Sequence, residues 1–214
     1  MFQREYWERK ALDERRPPDH PVVAHYALSK IKLIRHYVPL EKGVRLLDVG
    51  CGNGFFSIPL SRICDTVGVD FSEKMLGKNP IPQKFLMDAN RLAFQDFAFD
   101  VSFCHALLHH VSNPDSVLQE MKRVSRKYVV VLEPNRNNPL MFLFSSFVPE
   151  ERQALRFSLK YLKEMMERNG LKVTAAFSHG TTVPNKTPAF LLPLGRLLDF
   201  RYPLGMTNIL IAER

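Results

Sequence analysis

Apolar residues along this chain gather into short β-branched runs, and amphipathic stretches separate those runs. The pattern alternates strand and helix from about residue 22 to the end. The first twenty residues are charged and close on Pro17-Pro18-Asp19-His20-Pro21, which reads as a helical or loose arm ended by a turn. Over 22–38, Ala24, Ala27, Leu28, Ile31, Ile34 and Val38 recur at helical spacing until Pro39 stops them. Strands are predicted over 44–49, 66–70, 84–88, 99–104 and 128–132, the last a near-continuous β-branched run of the kind buried on both faces. Between them fall a helix over 55–63, which Pro59 shortens or kinks, a helix capped by Ser72, and one begun by Asn113-Pro114. That last helix carries Val117, Leu118, Met121 and Val124 on one face. A helix over 158–169, stopped by Gly170, and strands over 171–177 and 207–212 complete the pattern. Such alternation predicts an α/β fold with a doubly wound, mostly parallel sheet and helices on both faces.

At 214 residues the chain suits a single domain. It divides into an arm and helix over 1–43, a core over 44–135, and an insertion with the last strands over 136–214. Hydrophobic content of 45% and charged content of 24% are those of a globular protein. Cys51, Cys64 and Cys104 form no disulfide framework, which points to a reducing, cytoplasmic setting. The charged N-terminus shows no secretory signal, and no apolar run reaches the roughly 18 residues that span a bilayer. Two shorter apolar runs, 139–149 and 189–194, stand out, so peripheral membrane contact stays open. The net charge of +8 is spread and mixed with acids, with nothing like a nucleic-acid module, so nucleic acid is not the expected partner. A monomer or a homodimer is equally compatible with the sequence.

The richest segment is Leu46-Leu47-Asp48-Val49-Gly50-Cys51-Gly52-Asn53-Gly54. An apolar strand ending in an acid opens into glycines at alternate positions, where a ligand can approach bare backbone. A dinucleotide fingerprint would need glycine at position 55, which is Phe, so the turn suits a nucleoside better than a pyrophosphate. Asp48, Asp70 and Asp88 end three successive predicted strands, where ligands of such sheets bind. Asp70 can take both ribose hydroxyls and Asp88, beside Ala89, an adenine amine, with Phe71, Met75 and Leu92 as apolar neighbours. The alternative is that these acids cap the turns that follow them.

With its preceding acid, the glycine turn resembles motif I of the class I S-adenosylmethionine-dependent methyltransferases. The resemblance continues through residues 66–76, with Asp70, Ser72 and Met75-Leu76, through Phe99 to Val111 with its paired histidines, and through Glu120 to Asn135. It implies the seven-stranded sheet with its last strand antiparallel, S-adenosyl-L-methionine as cofactor, and S-adenosyl-L-homocysteine as product. The cofactor residues it implies are Asp48, Gly50, Cys51, Gly52, Asn53, Gly54, Asp70, Phe71, Met75, Asp88, Ala89 and His105. His109 and His110 are catalytic candidates, because an imidazole can take a proton from a hydroxyl or amine nucleophile. Their alternative role is to satisfy backbone groups beneath the sheet end. No metal is expected, since no acid close in sequence completes a site with His105, His109 and His110.

Methyl transfer needs alignment and exclusion of water more than covalent help, so the lack of an evident dyad is consistent with it. The expected acceptor is a small molecule methylated on O, N or C; the apolar runs 139–149 and 189–194 suit either a lid over a hydrophobic acceptor or ordinary packing and a dimer contact. The arm with Tyr6 and Trp7, the first helix, and residues 135–150 and 178–206 are expected to shape its pocket. The base-methylating motif after the fourth strand is missing; Cys104-His105-Ala106-Leu107 stands there. Alternatives are an RNA or protein methyltransferase, a non-catalytic cofactor-binding subunit, and a nucleotide-binding oxidoreductase.

Overall fold

The computed structural model describes residues 15–214, so Tyr6 and Trp7 lie outside the described residues. Seven strands form one sheet: β1 (Arg45–Val49), β2 (Asp65–Asp70), β3 (Lys84–Leu86), β4 (Phe99–His105), β5 (Ser125–Pro134), β6 (Lys172–His179) and β7 (Thr207–Glu213). Their order is β3-β2-β1-β4-β5-β7-β6. The pairs from β3 to β5 are parallel, and β7 runs antiparallel to both β5 and β6. The seven expected strands and the antiparallel last one are all present. The chain reverses its winding between β1 and β4, and this switch point opens a crevice at their carboxyl ends.

Helices cover both faces. On one, α1 (Pro21–Ile34) and the short α2 (Ser57–Ser61) bury Ile31, Ile34, Phe56 and Leu60 against Leu46, Phe103, Val130 and Ile211. Pro59 lies in the first turn of α2, where a missing N–H is tolerated, and only five residues there are helical. The short α3 (Glu73–Lys78) follows β2, capped by Ser72, whose hydroxyl accepts the Met75 N–H. On the opposite face, α4 (Pro114–Val124) and α6 (Leu159–Arg168) pack Val117, Met121, Leu162 and Met165 onto Leu47, Val129 and Leu210. Asn113 and Ser158 cap these two helices with their side chains.

Two regions depart from the sequence pattern. Residues 135–150, which carry no helical periodicity, contain the helix α5 (Pro139–Phe147), started by Asn138 accepting from Leu140 and Met141. Residues 189–197 form a short turn and then α7 (Leu192–Leu197). The third strand also ends early, at Leu86, so Asp88 follows it in a turn rather than ending it. Among the described residues no helix is long and apolar enough to cross a membrane.

Candidate active site

The turn after β1 is pinned to the neighbouring strand: Gly50 and Cys51 both donate backbone N–H groups to the Val69 carbonyl, at 2.8 and 3.0 Å. Gly50 adopts φ +72°, and a Cβ there would stand 2.9 Å from Leu107 Cδ1. Backbone is therefore exposed to the crevice where a side chain has no room. Asp70, at the end of β2, holds the far side. One carboxylate oxygen accepts the Gly52 N–H at 2.8 Å and the other the Ser72 N–H at 2.9 Å. Burial raises the Asp70 pKa against these bonds.

Asp48 lies beneath the turn and accepts the Ser57 hydroxyl at 2.6 Å. Burial raises its pKa to about 7, with Asp70 adding to the shift against the Ser57 bond. A cleft of about 60 Å³ is lined by Asp48, Gly50, Cys51, Gly52, Asp70, Phe71, Met75 and His105, eight of the twelve cofactor positions expected from sequence. The other four stand elsewhere. Asn53 turns toward the arm, meeting Arg15 Nη1 and the Arg16 carbonyl, and Gly54 packs against Asn79. Asp88 is exposed and accepts the backbone and side-chain N–H groups of Asn90, both at 2.8 Å, while Ala89 packs against the core. Leu92 is buried in that core rather than in the cleft.

Beyond the cleft lies a larger cavity of about 390 Å³, whose wall includes Tyr26, Met141, Phe144, Val148, Thr182 and Met206. Arg15, Phe55, His105, Ala106 and His110 line both spaces. Ala106 takes φ +49° at this junction, a left-handed conformation rare for a residue with a Cβ. His105 is held by the Tyr26 hydroxyl at 2.9 Å from Nε2, and that hydroxyl also meets Thr207 Oγ1 at 2.9 Å. Burial, with Arg15 nearby, lowers the His105 pKa to about 3, so the ring is neutral.

The paired histidines occupy a short 3-10 turn, Leu108–His110. Glu133, fully buried at the end of β5, accepts the N–H groups of Leu107 and Leu108 at 2.9 and 2.7 Å with one oxygen. Its other oxygen lies 2.5 Å from His109 Nδ1, and Glu151 Oε2 lies 3.2 Å from His109 Nε2. Burial alone would lower the His109 pKa, but the two carboxylates outweigh it and raise the value to about 10. His109 is thus an imidazolium with both nitrogens engaged, and it cannot serve as a base near neutrality. Burial and the His109 charge push His110 well below the ordinary value, leaving it neutral.

Glu151, an acid distant in sequence, lies beside the paired histidines. His109, His110 and Glu151 place ligand atoms within 4.8 Å of one another, a donor set able to hold a divalent cation. In this structure Glu151 pairs with His109 instead. Glu133, Glu151, Ala106 and Arg15 are the site residues that sequence reasoning missed. A carboxylate ending a β-branched strand was the available signal for Glu133. Glu151 had none, being 42 residues from its partner.

Residues 47–131 match the family described as "Methyltransferase domain". The phosphatidylethanolamine N-methyltransferase of Cereibacter sphaeroides is 38% identical over 97 residues, 40% of this chain and 47% of that protein. The ubiquinone biosynthesis O-methyltransferase of Dechloromonas aromatica is 34% identical over 116 residues, covering 48% and 49%. The chain spans about half the length of these two relatives. The 2-phytyl-1,4-naphtoquinone methyltransferase of Synechocystis is 29% identical over 201 residues, 82% of this chain and 79% of that one. Two solved structures share the fold. An S-adenosylmethionine-dependent methyltransferase of Thermotoga maritima has a TM-score of 0.70 at 21% identity, covering 90% and 91% of the two chains. The magnesium protoporphyrin IX methyltransferase of Synechocystis, with bound S-adenosylhomocysteine, has a TM-score of 0.69 at 17% identity, covering 100% and 98%. Residues 47–131 thus carry a segment similar to the methyltransferase domain, and the strand order built around it is the fold that these S-adenosylmethionine-dependent methyltransferases share.

Proposed function

We propose that the protein transfers a methyl group from S-adenosylmethionine to an O, N or C atom of a small apolar molecule, by in-line displacement. One observation carries the reading: the glycine-lined cleft and the 390 Å³ cavity meet at Phe55, His105, Ala106 and His110. A donor in the first and an acceptor in the second would face each other across that junction. Bare backbone at Gly50 and Gly52 receives the nucleoside, and Asp70 accepts from its ribose hydroxyls. The cleft is narrower than the few hundred Å³ of a ligand pocket, so Arg15, which stands over Phe55 at 5.3 Å, swings aside on binding. When bound, S-adenosylmethionine supplies an already activated methyl group. The protein's part is to align the acceptor and keep water out.

His105, neutral and fixed by Tyr26, orients the reacting end without carrying charge. His109 is a positioning residue that joins Glu133 and Glu151 across the cavity wall. His110 is a second neutral imidazole at the junction, and with the His105 Nε2 held by Tyr26 it is the group placed by position to accept a proton from a hydroxyl or amine acceptor. Names of two relatives, in ubiquinone biosynthesis and in phytyl-naphthoquinone methylation, support a ring acceptor bearing an apolar tail. The three cysteines are buried and free, which supports a reducing, cytoplasmic setting. The test is incubation with methyl-labelled cofactor and, in separate reactions, a prenylated quinol, total RNA and a protein lysate. Label extracted with the quinol supports the reading; label confined to RNA or protein refutes it.

A further inference from the structure

We infer that α5 and residues 189–204 form a docking face for an anionic lipid bilayer, and that the apolar acceptor enters the cavity through it. The second half rests on the function proposed above; the docking itself does not.

Helix α5 has the sequence PLMFLFSSF, apolar nearly all round. A helix of that kind belongs in a core or a membrane. Here only Met141 and Ser145 are buried, while Leu140 is 64% and Phe147 81% exposed. Across from it, Phe190 is 80% and Leu197 77% exposed. Of the fifteen large apolar side chains exposed among the described residues, eleven fall in 140–147 and 190–204. Scattered exposed leucines are ordinary, but such a concentration marks an interaction surface.

The two segments face each other across a groove of about 360 Å³ lined by Leu140, Phe144, Leu191, Leu194 and Leu198. The groove shares Met141, Phe144, Thr182, Val183, Lys186 and Met206 with the acceptor cavity. An apolar path therefore runs from the exposed face to the junction with the cofactor cleft. The Thr182 hydroxyl on this path is buried and has no hydrogen-bond partner, which leaves it for an acceptor's oxygen.

Charge decides what covers the face. Residues 136–148 and 184–206 hold four basic residues, Arg136, Lys186, Arg196 and Arg201. Their one acid, Asp199, has a side chain only 6% exposed and turned to His25, Lys30 and His179. Lys186 Nζ stands 5.8 Å from the Phe144 ring, so cationic and apolar groups are interleaved. A second copy would bring like charges together, whereas an anionic headgroup layer complements them. With no helix among the described residues able to cross the bilayer, contact is interfacial, by insertion of aromatic and leucine side chains.

The full chain is sedimented with vesicles of phosphatidylcholine, with and without phosphatidylglycerol, at low and high salt. The comparison variant carries Phe147→Ser, Phe190→Ser and Leu197→Ser, three exposed positions outside both cavities. The wild type is expected to bind phosphatidylglycerol vesicles and to be partly released by salt. The triple variant should bind about tenfold or more weakly with unchanged melting and S-adenosylhomocysteine affinity. A wild type left in the supernatant with both vesicles overturns the proposal. So does a wild-type dimer that the triple substitution dissolves, since the face would then be covered by a second copy. Vesicle binding without S-adenosylhomocysteine binding would leave the docking face standing and remove the methyltransferase reading.

Discussion

Replacing Glu133 by glutamine probes the charge arrangement beneath the acceptor cavity. The amide oxygen can still accept from Leu107 and Leu108, but the amide nitrogen then faces His109 Nδ1. His109 must become neutral, keeping one proton on Nε2 for Glu151. In the wild type the His109 pKa rises from 6.5 to about 10 on folding, so the native state binds its proton more tightly than the unfolded chain. That stabilisation is full below 6.5 and lost as pH climbs through about 10. At about 1.4 kcal/mol per pH unit the whole span corresponds to about 5 kcal/mol. Glu151, lowered to about 2 by the His109 bond and charge despite burial, reports the same ion pair, so its contribution is not added again. It is shifted less because it is partly exposed, whereas His109 lies between two carboxylates. Urea unfolding at about pH 6 should show Glu133→Gln less stable by about 3–5 kcal/mol, the cost of breaking a buried pair. The gap should close toward about pH 10 as the wild type loses its imidazolium. A gap that stays constant with pH, or a native His109 that titrates near its ordinary value by NMR, would refute the reasoning.

Three further outcomes are expected. Gly50→Ala forces a Cβ onto φ +72° and against Leu107, so stability should fall by about 1–2 kcal/mol and S-adenosylhomocysteine binding should weaken in calorimetry. Retained affinity would mean that the turn does not contact the nucleoside. Asp48→Asn should gain on the wild type as pH rises. With its pKa raised to about 7, native Asp48 stays protonated while the unfolded chain ionises above 3.8, so the wild type loses stability between 3.8 and 7, a span of up to about 4 kcal/mol. Thermal melts at either end of that range check this, and a stability difference that does not change with pH counts against it. Tyr26→Phe removes the hydroxyl between His105 and Thr207, and should cost about 1–3 kcal/mol by leaving buried polar atoms unpaired. An unaltered urea midpoint would show that water replaces the hydroxyl.

Most of the sheet was legible because its strands are short β-branched runs closed by acids or glycine, as in Val67-Gly68-Val69-Asp70. Helices with one apolar stripe, such as α4 with Val117, Leu118, Met121 and Val124, were legible for the same reason. α5 was not, because a helix apolar on nearly every side has no stripe to read. Its helical form depends on Asn138 as cap and on contact with the segment that follows. The cleft was legible where backbone alone builds it, at Gly50 and Gly52, and at Asp70, where the acid ends its strand. Asp88 shows the limit of that rule: the strand stops two residues earlier, and the carboxylate turns to Asn90. The Glu133–His109–Glu151 chain was not legible, since tertiary folding joins three separate segments. The roles of His109 and His110 follow from those contacts rather than from their own positions in sequence.

The account stands on the nucleoside being held by the glycine turn and Asp70. The most direct measurement is calorimetric titration of the wild type and Asp70→Ala with S-adenosylhomocysteine. Micromolar binding by the wild type, weakened by about 1.5–3 kcal/mol in a variant that still melts cooperatively, is the expected result. No binding by the wild type, or equal affinity in a folded Asp70→Ala, would contradict it.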